Sequence, residues 1–205
     1  MNFFDYFEIA AVVLALGFTS FKATYLRLAR KTTAILIGRR REGFAYIFEL
    51  LAVLGLMAWV AEILLRASHA QLDFVPAPLR FAFFDSAILK STGVGLVIMG
   101  LLLDVLALLN FGDSWRVGID EQNAGVLVTR GVFAFTRNPI YLAFDLIFAG
   151  IFLINGSIIF LLFALLGVFV SDQQILREER FLSQQYGDAY RDYCGRTARY
   201  FRGFI

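Results

Sequence analysis

The sequence predicts an all-α polytopic membrane protein: five transmembrane helices, the last two a tight hairpin, followed by a cytoplasmic C-terminal helix. Three observations carry this. Hydrophobic residues make up 59% of the 205-residue chain and charged residues 18%, with a mean hydropathy of +0.69, against roughly 45–50% and about 25% in soluble domains. A soluble globule of this length has no room to hide that much apolar surface, and a disordered chain does not carry it. Apolar runs of about 20 residues, the length that crosses about 30 Å of hydrocarbon, recur along the chain. The basic residues alternate in side from loop to loop, as the positive-inside rule requires.

The first span is expected from about Tyr6 to Leu28, the second from about Phe44 to Leu65 and the third from about Ile88 to Leu109. Within the third, Gly93-Val94-Gly95 reads as a site of close helix packing. Ile140 to Val170 is a single apolar block with Asn155-Gly156-Ser157 at its middle. That triplet is a turn signal, so the block divides into two short helices; one long tilted helix is the alternative.

Loop one carries Arg27, Arg30, Lys31, Arg39, Arg40 and Arg41. The segment after span three carries Arg116, Arg130 and Arg137, and the tail carries Arg177, Arg180, Arg191, Arg196, Arg199 and Arg202. These are fifteen of the nineteen Lys and Arg. Asp5, Glu8 and Arg80 fall on the other side, with Arg66 and Lys90 at helix ends. The rule then places the N-terminus outside and the tail in the cytoplasm (of the inner membrane, in a bacterium). The first span starts acidic and lacks a small-residue cleavage site, unlike a signal peptide. The basic residues of loop one suit anionic lipid. One cysteine, Cys194, and one histidine, His69, argue against an intramolecular disulfide and against a Cys- or His-based metal centre. A net charge of +2 gives no nucleic-acid footprint. The expected partners are membrane lipids and a small or lipidic molecule, with no nucleic acid and no metal.

The stretch from Gly112 to Tyr141 has glycines at 112, 118, 125 and 131 among aromatics and charges, a composition suited to ligand binding. Asn138-Pro139 predicts the start of span four, with Asn138 as N-cap and Pro139 at the first helical position. Such a start, beside Arg137, suits a carboxylate or phosphate; the plainer reading is a cap with a snorkelling arginine. The tail from Asp172 to Tyr186 reads as a helix continuing span five, with Gly187 as its stop. Glu178 shares a helix face with Phe181, Leu182 and Gln185, while Glu179 is rotated by about 100°. Tyr186, Tyr190 and Tyr193 suggest an aromatic stripe at the membrane interface. Asp104, Asp145, Glu49 and Glu62, lying within spans, are functional candidates by default; Asp104 with Asp145 would suit a small transporter.

LVTRGVFAFTRNPIY (Leu127–Tyr141), followed by EERFLSQQYGDAYRDY (Glu178–Tyr193), resembles the isoprenylcysteine carboxyl methyltransferase and phospholipid N-methyltransferase family of integral-membrane enzymes. The shared pattern is Leu-Val-x-x-Gly-x-aromatic and Arg-(His/Asn)-Pro-x-Tyr at a helix start, then a Glu-Glu-x-x-Leu helix about 40 residues later. The resemblance covers roughly Ser114 to Tyr193. It implies a single membrane domain over 1–205, with three N-terminal spans in 1–110 and a cofactor-binding catalytic half in 111–205. It also implies S-adenosylmethionine as methyl donor, held by Gly125, Val126, Leu127, Val128, Phe133, Asn138, Pro139, Ile140, Tyr141 and Glu178. The acceptor would be a lipidic or small amphiphilic carboxylate, thiol or amine. Arg137, Tyr141 and Glu179 are the candidate catalytic residues. The helix start with Arg137 would take the cofactor's carboxylate, Glu178 or Glu179 its ammonium, and Tyr141, Phe133 or Phe135 its sulfonium or adenine. In-line transfer from a sulfonium needs alignment and exclusion of water rather than a metal. The sequence departs from the family pattern at Asn138 (often His), Gly125 (His in eukaryotic members) and Phe133 (Tyr). Gln174 stands where the prenylcysteine enzymes place an arginine associated with the substrate. An NADPH-dependent membrane reductase of an isoprenoid or sterol-like substrate is the alternative enzyme.

Overall fold

The computed structural model describes residues 1–29, 43–70, 75–112, 115 and 125–200. Arg30, Lys31, Arg39, Arg40 and Arg41 of loop one, with Ser114, Arg116, Gly118 and Arg202, lie outside the described residues. Among the described residues six α-helices follow in order: α1 (Phe3–Ala29), α2 (Phe44–Ala67), α3 (Ala87–Phe111), α4 (Pro139–Asn155), α5 (Ile158–Tyr186) and α6 (Asp188–Arg196). Short 3₁₀ turns occupy Ala77–Arg80 and Gly131–Ala134. The protein is all-helical and polytopic: α1, α2, α3 and α5 are long and apolar enough to cross a membrane, and α4 is a shorter apolar helix.

Helix ends follow local chemistry. α1 starts earlier than expected because Asn2 Oδ1 accepts the N–H groups of Phe4 and Asp5, at 2.9 and 3.1 Å. The apolar block does divide at Asn155-Gly156-Ser157. Gly156 closes α4 in the left-handed region at φ 65°, its N–H bonded to the Phe152 carbonyl. A Cβ there would lie 2.4 Å from the Phe84 carbonyl oxygen, so only glycine fits. Ala82 and Ser157 form an isolated antiparallel bridge, with Phe83 N–H donating to Gly156 O at 2.7 Å and Ile158 N–H to Phe81 O at 3.1 Å. The loop before α3 therefore holds the hairpin turn. α5 has 29 residues, about 43 Å at the helical rise and more than a hydrocarbon core requires. Its polar part from Asp172 extends beyond the apolar zone as expected, and Gly187 ends it with φ 53° and an N–H bond to Ser183 O.

In lipid the hydrophobic effect does not drive helices together; close backbone approach and interhelical hydrogen bonds do. α3 and α4 make the tightest pair. A Cβ on Gly93 would lie 2.5 Å from the Gly150 carbonyl oxygen, one on Gly150 2.6 Å from that of Gly93, and one on Gly100 2.7 Å from that of Ala143. Of the Gly93-Val94-Gly95 motif only Gly93 packs in this way; Gly95 faces nothing within 4 Å. Trp59, Ile63, Val97, Ile147, Ile151 and Phe160 form the main core. Leu102, Leu109, Leu165 and Phe169 lie on the outer faces, as lipid contact requires.

Away from the α4 start, a polar network joins three helices. Asn155 Nδ2 donates to Glu8 Oε1 at 2.5 Å, and Asn155 Oδ1 accepts from Arg66 Nη1 at 3.3 Å. Arg66 also pairs with Glu62 at 3.4 Å. Glu8 and Glu62 are both buried, so these bonds satisfy groups that lipid would leave unpaired.

Candidate active site

α4 begins at Pro139 as the Asn-Pro signal predicts, but Asn138 does not cap with its side chain. Its Nδ2 instead donates to the Arg199 carbonyl at 3.2 Å. The reason is a tail segment that runs alongside the helix start. Arg137 N–H donates to Ala198 O at 2.9 Å and the Thr136 hydroxyl to Arg199 O at 3.0 Å. The C-terminal strap thus takes the bonds that a free N-cap would otherwise seek in its own helix.

Arg137 does not snorkel. Its Nε and Nη2 donate to Glu179 Oε1 at 3.1 and 2.9 Å, and its Nη1 to the carbonyls of Thr197 and Cys194 at 2.9 and 3.3 Å. The other oxygen of Glu179 accepts from Arg199 Nε and Nη2 at 3.1 and 2.7 Å. Partial burial works to raise the Glu179 carboxyl, but the hydrogen bonds from Arg199 and Arg137 outweigh it and hold it below its ordinary value. The bond to Glu179 likewise raises Arg199. This Arg–Glu–Arg triad ties the α4 start, the α5 extension and the tail together.

Glu178, one residue earlier and about 100° round the helix, has different partners. The Tyr141 hydroxyl donates to its Oε1 at 2.5 Å and Gln174 Nε2 to the same oxygen at 3.4 Å. Arg137, Asn138, Tyr141, Glu178 and Glu179 are therefore brought together. Pro139 is buried, and Ile140 packs against the cluster of Leu26, Leu108 and Trp115.

Gly125 to Val128 form an irregular stretch beside the end of α5, where the Tyr186 hydroxyl donates to Gly125 O at 3.1 Å. Gly125 and Gly131 are in the left-handed region, at φ 74° and 64°. Gly131 also has the Asn110 side chain where a Cβ would stand. Phe133 is buried, edge-on to Phe111 at 4.8 Å, with its carbonyl accepting from Tyr193. It is a packing residue here, whereas Phe135 is 80% exposed. The expected tyrosine stripe does not form. Gly187 breaks the helix between Tyr186 and Tyr190, and Tyr190 and Tyr193 turn inward and are buried.

Sequence reasoning missed the strap, Thr197 to Arg199. Residues 136–138 and 197–199 are some sixty positions apart, and no local spacing connects them. Of the charges within spans, Asp145 accepts from Ser171 at 3.0 Å and Glu62 pairs with Arg66. Asp104, by contrast, is buried with no hydrogen-bond or ion-pair partner among the described residues.

Residues 89–189 match the family model of phospholipid methyltransferases. A protein-S-isoprenylcysteine O-methyltransferase of Schizosaccharomyces pombe is 28% identical over 113 residues, covering 54% of this chain and 48% of the relative. The chain thus spans about half the length of that curated relative. The fold and the clasped helix start define an integral-membrane protein with a polar site at one end of its bundle. Over this region the chain is similar to phospholipid methyltransferases and to an isoprenylcysteine O-methyltransferase.

Proposed function

We propose that the protein is an S-adenosylmethionine-dependent methyltransferase acting on a lipidic or amphiphilic acceptor at the cytoplasmic membrane face. The observation that carries this reading is the meeting of the two separated motif segments. Tyr141 bonds Glu178 and Arg137 bonds Glu179 across the α4–α5 interface. The residues present fit a zwitterionic, sulfonium-bearing cofactor. The first N–H groups of α4 have no intrahelical acceptor and suit its carboxylate, Tyr141 and Phe135 offer aromatic surface, and the half-buried carboxylates of Glu178 and Glu179 flank the helix start. When bound, S-adenosylmethionine supplies the methyl group as an electrophile on sulfur.

The chain's own part is to bind, orient and exclude water. Arg137 and Glu179 are so fully engaged with one another, with Arg199 and with tail carbonyls that we assign them a positioning role, fixing where α4 begins. Tyr141 and Glu178 line the site. The acceptor enters from the lipid side between helices, and the soluble cofactor enters from the cytoplasm. In the test, purified protein in detergent is titrated calorimetrically with S-adenosylmethionine, S-adenosylhomocysteine and NADPH. Saturable binding of both adenosyl compounds and none of NADPH is expected. Absence of binding by either adenosyl compound overturns the reading.

A further inference from the structure

The α3–α4 register locates a group that the site has not yet used. Gly93 abuts the α4 backbone between Gly150 and Ile154, and Gly100 abuts it between Ala143 and Ile147. Seven steps along α3 are thus matched by seven steps back along α4. Asp104 is four residues beyond Gly100 on the same buried face of α3, which includes Gly93, Val97 and Gly100. The same progression sets it against the first turn of α4, between Pro139 and Ala143. Asp104 is 3% exposed and has no hydrogen-bond or ion-pair partner among the described residues. An unpaired buried carboxylate is costly, and here it adjoins the helix start already assigned to an anionic group.

Near the α4–α5 interface Glu178 is engaged by Tyr141 and Gln174, Glu179 by Arg137 and Arg199, and Asp145 by Ser171, while Asp172 accepts from Gln173 at 3.5 Å. A zwitterion with its carboxylate on the α4 amides needs a negative group close by for its ammonium. We infer that Asp104, rather than Glu178 or Glu179, receives the α-ammonium group of the adenosyl cofactor. The inference rests on the methyltransferase reading and extends the site across to α3.

The test compares S-adenosylhomocysteine with its analogue lacking the α-amino group, titrated against the parent protein and Asp104→Asn in detergent. Asp104→Asn is expected to lose about tenfold or more in affinity for S-adenosylhomocysteine, as loss of a charge-assisted bond implies. Its affinity for the deaminated analogue should match that of the parent. The ligand-free variant should unfold at the same or a higher temperature, because it removes an unpaired buried charge and breaks no bond. Equal affinity of parent and variant for S-adenosylhomocysteine overturns the assignment, as does an equal loss for both ligands. A parent that binds neither ligand overturns the methyltransferase reading itself. Should Asp104→Asn fail to fold, Asp104→Leu makes the same comparison.

Discussion

Two arginines from distant parts of the chain converge on the single carboxylate of Glu179, and the pH dependence of stability follows from that. Its folded pKa lies below the ordinary glutamate value, which is about 4.3. The stability it contributes is therefore fully present above that value and is lost as pH falls through the lower, folded value. The parent's unfolding temperature should drop as the pH is taken below about 4.3, and Glu179→Gln should drop less steeply. Thermal unfolding in detergent across this range makes the comparison, and parallel curves would remove Glu179 as the cause. At this scale the sequence was informative about identity and silent about pairing. Glu178 and Glu179 are adjacent and both belong to the family pattern. That one meets a tyrosine and the other two arginines depends on the rotation of α5 against α4 and on where the strap returns.

Between elements, the α3–α4 contact is set by missing side chains. Gly93→Ala would push a methyl against a backbone carbonyl, which cannot yield as a flexible side chain does. Overpacking of this kind costs about 1–3 kcal/mol. Gly95→Ala meets nothing within 4 Å and should be neutral or slightly stabilising, since alanine favours helix over glycine by up to about 1 kcal/mol. Denaturant unfolding in mixed micelles would measure both, and equal effects would mean the two helices are not held at Gly93. Three helix ends were legible because they are announced locally, by Pro139 at the start of α4 and by Gly156 and Gly187 after α4 and α5, whereas the Asn2 start of α1 was not. Which glycine of the Gly-x-Gly pair packs was not legible. Residues two apart point to different sides of a helix, and only the partner shows which side is filled.

For the molecule as a whole, the charge distribution predicts sidedness. Protease sites engineered into the α1–α2 loop and after α6 should be cut only from the cytoplasmic side of sealed vesicles. A site in the α2–α3 loop should be cut only from the opposite side, and the reverse pattern would invert the proposed orientation. Membrane class and span order could be read from composition, since 59% hydrophobic residues admit few other solutions. The site could be read only in part. Its motif residues were visible, but the strap that packs on the candidate site and the α3 carboxylate proposed to join it owe their places to tertiary register.

The 17 residues of α4 rise about 26 Å, a few ångströms short of the hydrocarbon thickness of about 30 Å. Asn155 is bonded to Glu8 and Arg66 at one end of the helix, and the Arg–Glu–Arg triad fixes the other, so the helix cannot lengthen or slide. A span this short is expected to thin the bilayer where α4 begins. On the proposed function, the mouth of the site is expected below the surrounding headgroups, at a depth that varies with the acyl-chain length of the lipids around it.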